Sequence, residues 1–280
     1  MIIKIRNKLL SFVAFFYFYF VEFFNLKKFP IIISIEGGLG AQILSYALYV
    51  KLKRKGQKVY LDCEYFQRNN LKKTLGVSYW DWQLNDYGVS MDQIDHRNRS
   101  WVYRILMLRD SPTKLQKTIS ALQEATFSNL FKSSNKLKKQ FSSLQLKRGY
   151  GAIHIRQGDF LNVASYVEDY FTLVIMFLKM IPDKSEIVIL SDSILPSKII
   201  DLVKKEGKKI HIFDNSSITP ELSHYIMCKS NLCVVGNSQF GLTAGILSHQ
   251  CIFPLKWSSQ KSYNNIVRAL PRYGYLSSGS

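Results

Sequence analysis

An imidazole and a guanidinium two residues apart, with an acid three further on, stand in His154-Ile155-Arg156-Gln157-Gly158-Asp159. In an extended segment, residues two apart point to the same side, so His154 and Arg156 face one ligand together. The planar fork of Arg156 suits a phosphate, and it can stabilise a diphosphate leaving group where no metal does so. Two further polar groups have the same character: Ser191-Asp192-Ser193, and Asn237-Ser238-Gln239-Phe240 ahead of a helix whose first amides are open to an anion. A fourth, Glu36-Gly37-Gly38-Leu39-Gly40-Ala41-Gln42, brings glycines to a place where backbone approaches a ligand closely. Each also has a purely structural reading: His154 braces its strand, Asp159 caps the next segment or pairs with Arg156, and Asn237 and Ser238 form an ordinary helix N-cap.

Each group follows an apolar run of strand type. The first half reads Ile31 to Ile35 as strand, Gln42 to Arg54 as helix and Lys58 to Cys63 as strand, a βαβ unit that implies a parallel sheet. From Gly151 the rhythm resumes. Strands are predicted at Ala152 to Ile155, Glu186 to Leu190, Lys209 to Phe213, Leu232 to Val235 and Cys251 to Pro254. Helices are predicted at Glu168 to Met180, Pro196 to Glu206, Pro220 to Lys229 and through Leu247. Residues 65 to 150 are polar, basic and helical in tendency, with Trp80, Trp82 and Trp101 as packing anchors. The expected fold is α/β with two lobes facing a cleft. The expected segments are 1-29 (N-terminal hydrophobic), 30-150 (first lobe) and 151-280 (doubly wound second lobe).

At 280 residues and 47% hydrophobic content, the chain can bury two modest cores. Its net charge of +18 points to acidic partners, and residues 101 to 150 hold ten Lys or Arg against Asp110 and Glu124 alone. No RNP-type aromatic motif, zinc-finger spacing or basic zipper accompanies them, so no nucleic-acid partner is expected. A basic face that is solvated, or that rests on anionic lipid, is the expectation. Cys63, Cys228, Cys233 and Cys251 show no CxxC, which reads as free buried thiols in a reducing compartment.

Lys4, Arg6 and Lys8 precede an apolar run from Leu9 to Phe24 that is thick with Phe and Tyr and closed by Lys27 and Lys28. The run is short for the ~20 residues that span a bilayer and lacks an Ala-x-Ala cleavage site. It reads first as an interfacial anchor, which makes the chain membrane-associated, at the cytoplasmic face; a true signal anchor and a buried core helix are the other readings.

Several machineries are absent from the sequence: GxxxxGK[ST], GxSxG and HExxH do not occur, and Gly37-Gly38-Leu39-Gly40 lacks the third glycine and ribose-binding acid of a dinucleotide fingerprint. No DxD stands in the chain to bridge a metal to a nucleotide diphosphate.

Taken together, the motifs resemble those of the α-1,2-fucosyltransferases (glycosyltransferase family 11), which share donor-site motifs with the α-1,6- and protein O-fucosyltransferases. EGGLGAQILSY from Glu36 is similar to the family's GGLGNQxFQYA, and HIRQGDF from His154 to its HxRRGDY. Ser191-Asp192-Ser193 is similar to SDD, and Asn237 to Phe240 to the start of NSSFSWWAAWL. The resemblance implies a GT-B architecture of two Rossmann-like lobes. It also implies inverting transfer of L-fucose from GDP-fucose to a galactoside hydroxyl of an oligosaccharide or lipid-linked glycan, with no metal and no other cofactor. Its catalytic residues would be Arg156 on the β-phosphate, with His154 and Asp159 shaping the loop. Its donor-binding residues would be Gly37, Gly38, Gly40, Gln42, Ser191, Asp192, Asn237, Ser238, Gln239 and Phe240. The chain departs from the pattern at Ala41 for Asn, at Gln157 for the second Arg, at Leu242 and Thr243 for paired Trp, and at Ser223 for an acid, with Glu221 as a displaced candidate to read guanine. These departures leave open another nucleotide sugar, or a protein that binds sugar nucleotide or glycan without turnover.

Overall fold

The structure is a computed structural model describing residues 2–67, 81–93, 107–108, 111–156, 170–205, 207–253, 261–268, 270 and 274–275. Grouped by contact, the chain forms two units, Met1–Lys132 and Ser133–Ser280.

The first unit opens with helix α1 (Ile2–Phe23) and continues through β1 (Ile31–Ser34), α2 (Leu39–Arg54), β2 (Val59–Asp62), β3 (Met107–Leu108) and α3 (Pro112–Gln123). Its three strands are parallel in the order β2-β1-β3, with Ile31 opposite Val59 and Ile32 opposite Met107. All four residues of β1 are buried, as a continuous Ile-Ile-Ile run in a parallel sheet requires. Helix α2 begins at Leu39 rather than Gln42, because Gly38 in an extended conformation is its N-cap and Gly37 turns the chain at φ +81°. Of the predicted anchors, Trp82 is placed: its Nε1 donates to the Val89 carbonyl at 2.9 Å and its ring meets Phe66 edge-on. Trp80 and Trp101 lie outside the described residues.

The second unit begins with helix α4 (Asn135–Ser143), which the sequence reading put on the first-lobe side of residue 150. It packs with this unit because the Phe141 ring sits edge-on to Tyr225. There follow β4 (Gly151–Ile155), α5 (Tyr170–Met180), β5 (Ile187–Ser191), α6 (Ser197–Lys204), β6 (Ile210–Phe213), α7 (Pro220–Lys229), β7 (Leu232–Val235), α8 (Gln239–Leu247), β8 (Cys251–Phe253), α9 (Lys261–Arg268) and β9 (Gly274–Tyr275). The sheet is parallel throughout, in the order β6-β5-β4-β7-β8-β9. Counted from the first strand of the unit, this is the doubly wound order 3-2-1-4-5-6. Central strands β4, β5 and β7 are buried along their whole length, and one core cluster joins them to Leu173, Val174 and Phe177 of α5 and to Ile181 just after it. Elements α9 and β9, and the short strand β3, went unrecognised in the sequence, since two-residue strands carry no period.

Candidate functional site

In an open parallel sheet the crevice for a ligand lies past the carboxyl ends of the strands, where successive connections leave in opposite directions. In the second unit that point lies between β4 and β7, which are hydrogen-bonded neighbours although most of the unit's chain separates them. His154 is the penultimate residue of β4, Arg156 follows its end, and Asn237 to Phe240 follow β7. Asp192 follows β5, on the other side of β4. Three of the four polar groups picked out in the sequence therefore meet at one rim, because β4 is the strand in the middle.

Arg156 and Asp192 form the site's ion pair, Nε to Oδ2 at 3.7 Å, with 15% and 12% of their side chains exposed. The Tyr170 hydroxyl, at the start of α5, donates to the Arg156 carbonyl and so fixes the backbone that carries the guanidinium. The Asp192 amide donates to the Ile155 carbonyl at 3.4 Å, and Asn215 Nδ2 donates to the Asp192 carbonyl at 3.1 Å. The Ser191 hydroxyl is buried and accepts from the Ser193 amide at 3.2 Å, so it shapes its own turn.

His154 is 4% exposed and its ring lies 4.8 Å from that of Phe240. Burial drives its pKa down to about 4; Asp192 pulls it up and Arg156 pushes it further down. At neutral pH the imidazole is therefore uncharged. Arg156 supplies the positive charge of the rim, while His154 serves as a neutral buttress. Phe240 meets a second imidazole, His224 of α7, at 5.2 Å and edge-on. His224 is fully buried, with Nε2 2.9 Å from Thr243 Oγ1 and Nδ1 3.4 Å from Cys228 Sγ. Burial, with His154 adding to it, lowers its pKa to about 3. The sequence reading passed over His224; the signal was a histidine and a cysteine at i and i+4 amid Tyr225, Ile226 and Met227.

Helix α8 is capped by Ser238, whose Oγ accepts from the Gly241 amide at 3.1 Å. The structural reading of Ser238 therefore holds for its hydroxyl, while Gln239 and Phe240, partly exposed, sit in the first turn. Asn237 is 6% exposed at the strand end. Ser223, where the resemblance sets an acid, is 7% exposed inside α7, and Glu221 is partly exposed in that helix's first turn. Asp159 and Gln157 lie outside the described residues.

The fourth group belongs to the first unit, at the end of β1. There the strand order β2-β1-β3 makes a switch point of its own. Gly38 offers no side-chain cap, so the first amides of α2 are left to other acceptors, and Gly40 is buried in the first turn. Gln42, expected to contact the donor, is bonded to backbone here. Fully buried, it donates through Nε2 to the Gly37 and Asp81 carbonyls, both at 2.9 Å, and accepts from the Gln83 amide at 2.9 Å. A side-chain amide spent on backbone in this way binds the glycine loop to the 81–83 segment. Lys114 of α3, also missed in the sequence, is 4% exposed and donates from Nζ to the Ser34 carbonyl at 2.7 Å. It holds the end of β1 from a position 80 residues away.

No protein-family profile and no curated protein sequence matches the chain. Among solved structures it is similar to POFUT1 in complex with GDP-fucose, at 11% identity over 81% of this chain and 98% of that chain, TM-score 0.48. It is also similar to NodZ α-1,6-fucosyltransferase soaked with GDP-fucose, at 12% identity over 83% of this chain and 98% of that chain, TM-score 0.46. A further match is fucosyltransferase NodZ from Bradyrhizobium, with the same 12%, 83% and 98% and TM-score 0.46. At TM-scores below 0.5 the likeness assigns no residue a role, and the site is defined by the chain's own strand order and side chains.

Proposed function

We propose that the chain is a glycosyltransferase that moves L-fucose from GDP-fucose to a sugar hydroxyl with inversion, forming an α-1,2 linkage on a galactoside of a surface glycan. The observation that carries this reading is the Arg156–Asp192 pair beside the capped start of α8 at the switch point of a doubly wound sheet. The motif resemblance of those same residues supports the choice of donor.

The chemistry asked of the site is limited. The acceptor oxygen attacks the anomeric carbon, the bond from that carbon to the β-phosphate oxygen breaks, and its electron pair leaves with GDP. The hydroxyl proton passes to a base or to water. Charge grows on the departing diphosphate, so the useful groups are fixed donors aimed at it: the Arg156 guanidinium and the amides that open α8. Asp192 holds the guanidinium, and Tyr170 holds its backbone. His154 and His224 both pack on the Phe240 ring and keep that turn in place.

The test is transfer from GDP-fucose to a panel of galactose-ending acceptors, with product linkage read by mass spectrometry and NMR. Arg156→Ala is expected to lower kcat/KM by about a hundredfold or more, the scale of one lost charge-assisted donor. Full transfer by that variant would sink the assigned role. A second reading, binding without turnover, is favoured by Ala41, which stands where the resembled family has Asn and whose Cβ lies 3.4 Å from the place a Gly37 Cβ would take. If the parent chain binds GDP-fucose yet transfers nothing, and Ala41→Asn restores transfer, that second reading replaces the first.

A further inference from the structure

Helix α1 has two apolar faces with different fates. Ala14, Phe18 and Val21 are 1%, 1% and 0% exposed and pack into the first unit, with α1 lying against β3. The attachment is reinforced on its flank: Tyr17 donates to the Pro30 carbonyl at 2.9 Å, Glu22 pairs with Lys117 at 2.6 Å, and the Lys117 ammonium lies 4.7 Å from the centre of the Tyr19 ring. On the opposite side a stripe at helical spacing stands in the open: Leu9 at 60%, Phe12 at 59%, Phe16 at 55%, Phe20 at 53% and Phe23 at 82% exposed, continued by Phe24 at 57%. Single exposed apolar residues are ordinary on a protein surface, but a continuous row of phenylalanines along about four turns marks a contact surface.

The helix is already part of a folded unit, and among the described residues no helix is long and apolar enough to cross a membrane. A helix held by one face and bare on the other suits a boundary between water and hydrocarbon, where it lies in the plane with its apolar side down. The charges around it choose the partner. Lys4, Arg6 and Lys8 lie in the first two turns, Lys27 and Lys28 follow the end, and the chain carries +18 overall. A second copy laid along the same stripe, in either direction, would bring these cations against their own kind. An anionic lipid surface neutralises both ends at once.

We propose that the exposed face of α1 is a membrane-docking surface that seats the first unit rigidly on an anionic lipid monolayer, the phenylalanine row entering the acyl boundary and the flanking lysines meeting the headgroups. The inference stands apart from the donor reading, because vesicle binding needs no nucleotide.

The full chain is to be sedimented with phosphatidylcholine vesicles with and without phosphatidylglycerol. Binding is expected only with phosphatidylglycerol and is expected to weaken as salt rises. In the triple variant Phe12→Ser, Phe16→Ser, Phe20→Ser, partitioning is expected to fall roughly a hundredfold while the circular dichroism of the wild type is kept, since affinity scales with buried apolar area. The single variant Phe16→Trp, which leaves the core untouched, is expected to gain a fluorescence component quenched by brominated phosphatidylglycerol. Failure of the wild type to bind overturns the proposal, as does equal binding by the triple variant or the absence of quenching at residue 16. A dimer in solution that the triple variant dissolves, without vesicle binding, would give the face to a second copy instead.

Discussion

At the residue scale, Arg156 and Asp192 have opposite duties. In the proposed reaction Arg156 receives the diphosphate and Asp192 holds the guanidinium; in the structure the two stand 3.7 Å apart with both side chains mostly out of water. Asp192→Asn removes a carboxylate charge beside a largely buried cation, so unfolding in urea is expected to come earlier by about 1–3 kcal/mol, between the values for exposed and buried pairs. The two histidines make a separate, pH-dependent contribution. Each is buried and neutral, with its pKa lowered from 6.5 to about 4 for His154 and about 3 for His224. The unfolded chain therefore binds more protons than the folded one below pH 6.5. Their stabilisation is intact above that value and is lost as pH falls toward 4 and then 3. Within this window each contributes a slope of up to about 1.4 kcal/mol per pH unit. Urea midpoints measured from about pH 7 to about pH 4 are expected to fall, and His224→Leu is expected to remove about half of that dependence. What could be read in the sequence at this scale was which polar residues meet at the rim: His154, Arg156, Asp192 and the turn from Asn237. What escaped was their state. Neutral His154 and Gln42 consumed by backbone depend on residues far along the chain, whereas the Ser238 cap, closed on Gly241 three residues on, was legible locally.

At the scale of elements, two contacts decide whether the rim holds its shape. Helix α8 lies close on β7 because Gly241 faces the sheet; a Cβ there would come within 2.9 Å of the Val235 Cβ and 3.3 Å of the Gly236 carbonyl oxygen. Gly241→Ala is expected to lower stability by about 1–3 kcal/mol through overpacking, and to weaken GDP binding as Phe240 and the helix start move outward. Calorimetry and nucleotide titration of the same variant separate the two effects. At the opposite end of the strands, Glu186 ties three chain segments: it accepts from the Lys147 amide at 3.1 Å, pairs with Lys209 at 2.9 Å and meets His211 Nε2 at 3.1 Å. Its side chain is 2% exposed. Glu186→Gln is expected to cost about 2 kcal/mol, the scale of hydrogen bonds to a charged group, with no change in donor affinity because the rim is at the other strand end. Element positions were largely legible. Helix α7 and strand β7 fall where the sequence sets them, and β4, β5, β6 and β8 shift by a residue at their ends, while β9 had no counterpart in the sequence. Boundaries move because capping decides them, as where Gly38 starts α2 ahead of its apolar period.

For the whole molecule, the cysteines test the packing at once. Cys63, Cys228, Cys233 and Cys251 are all free and buried, and burial raises the thiol pKa of Cys228 and Cys251 well above its usual value. A native chain is expected to resist a thiolate-seeking reagent at neutral pH, and all four thiols are expected to react after denaturation. Rapid native labelling at Cys228 would show that α7 lifts readily, and at Cys251 that β8 does. The charge of +18 sets the other molecular property, a preference for anionic partners, and the proposed docking of α1 on anionic lipid draws on it.

Strand and helix alternation, the glycine turn after β1 and the phosphate-suited arginine after β4 were determined by sequence alone, because apolar period and turn chemistry act over a few neighbouring residues. Which strands lie side by side was decided only in three dimensions. β4 sits between β5 and β7, and that placement alone brings Arg156, Asp192 and Phe240 to one rim. Pairing of strands so far apart in sequence is fixed by the packing of the whole sheet, and no local window of residues contains it. Tertiary packing likewise turned one face of an aromatic-rich helix inward and left the other bare.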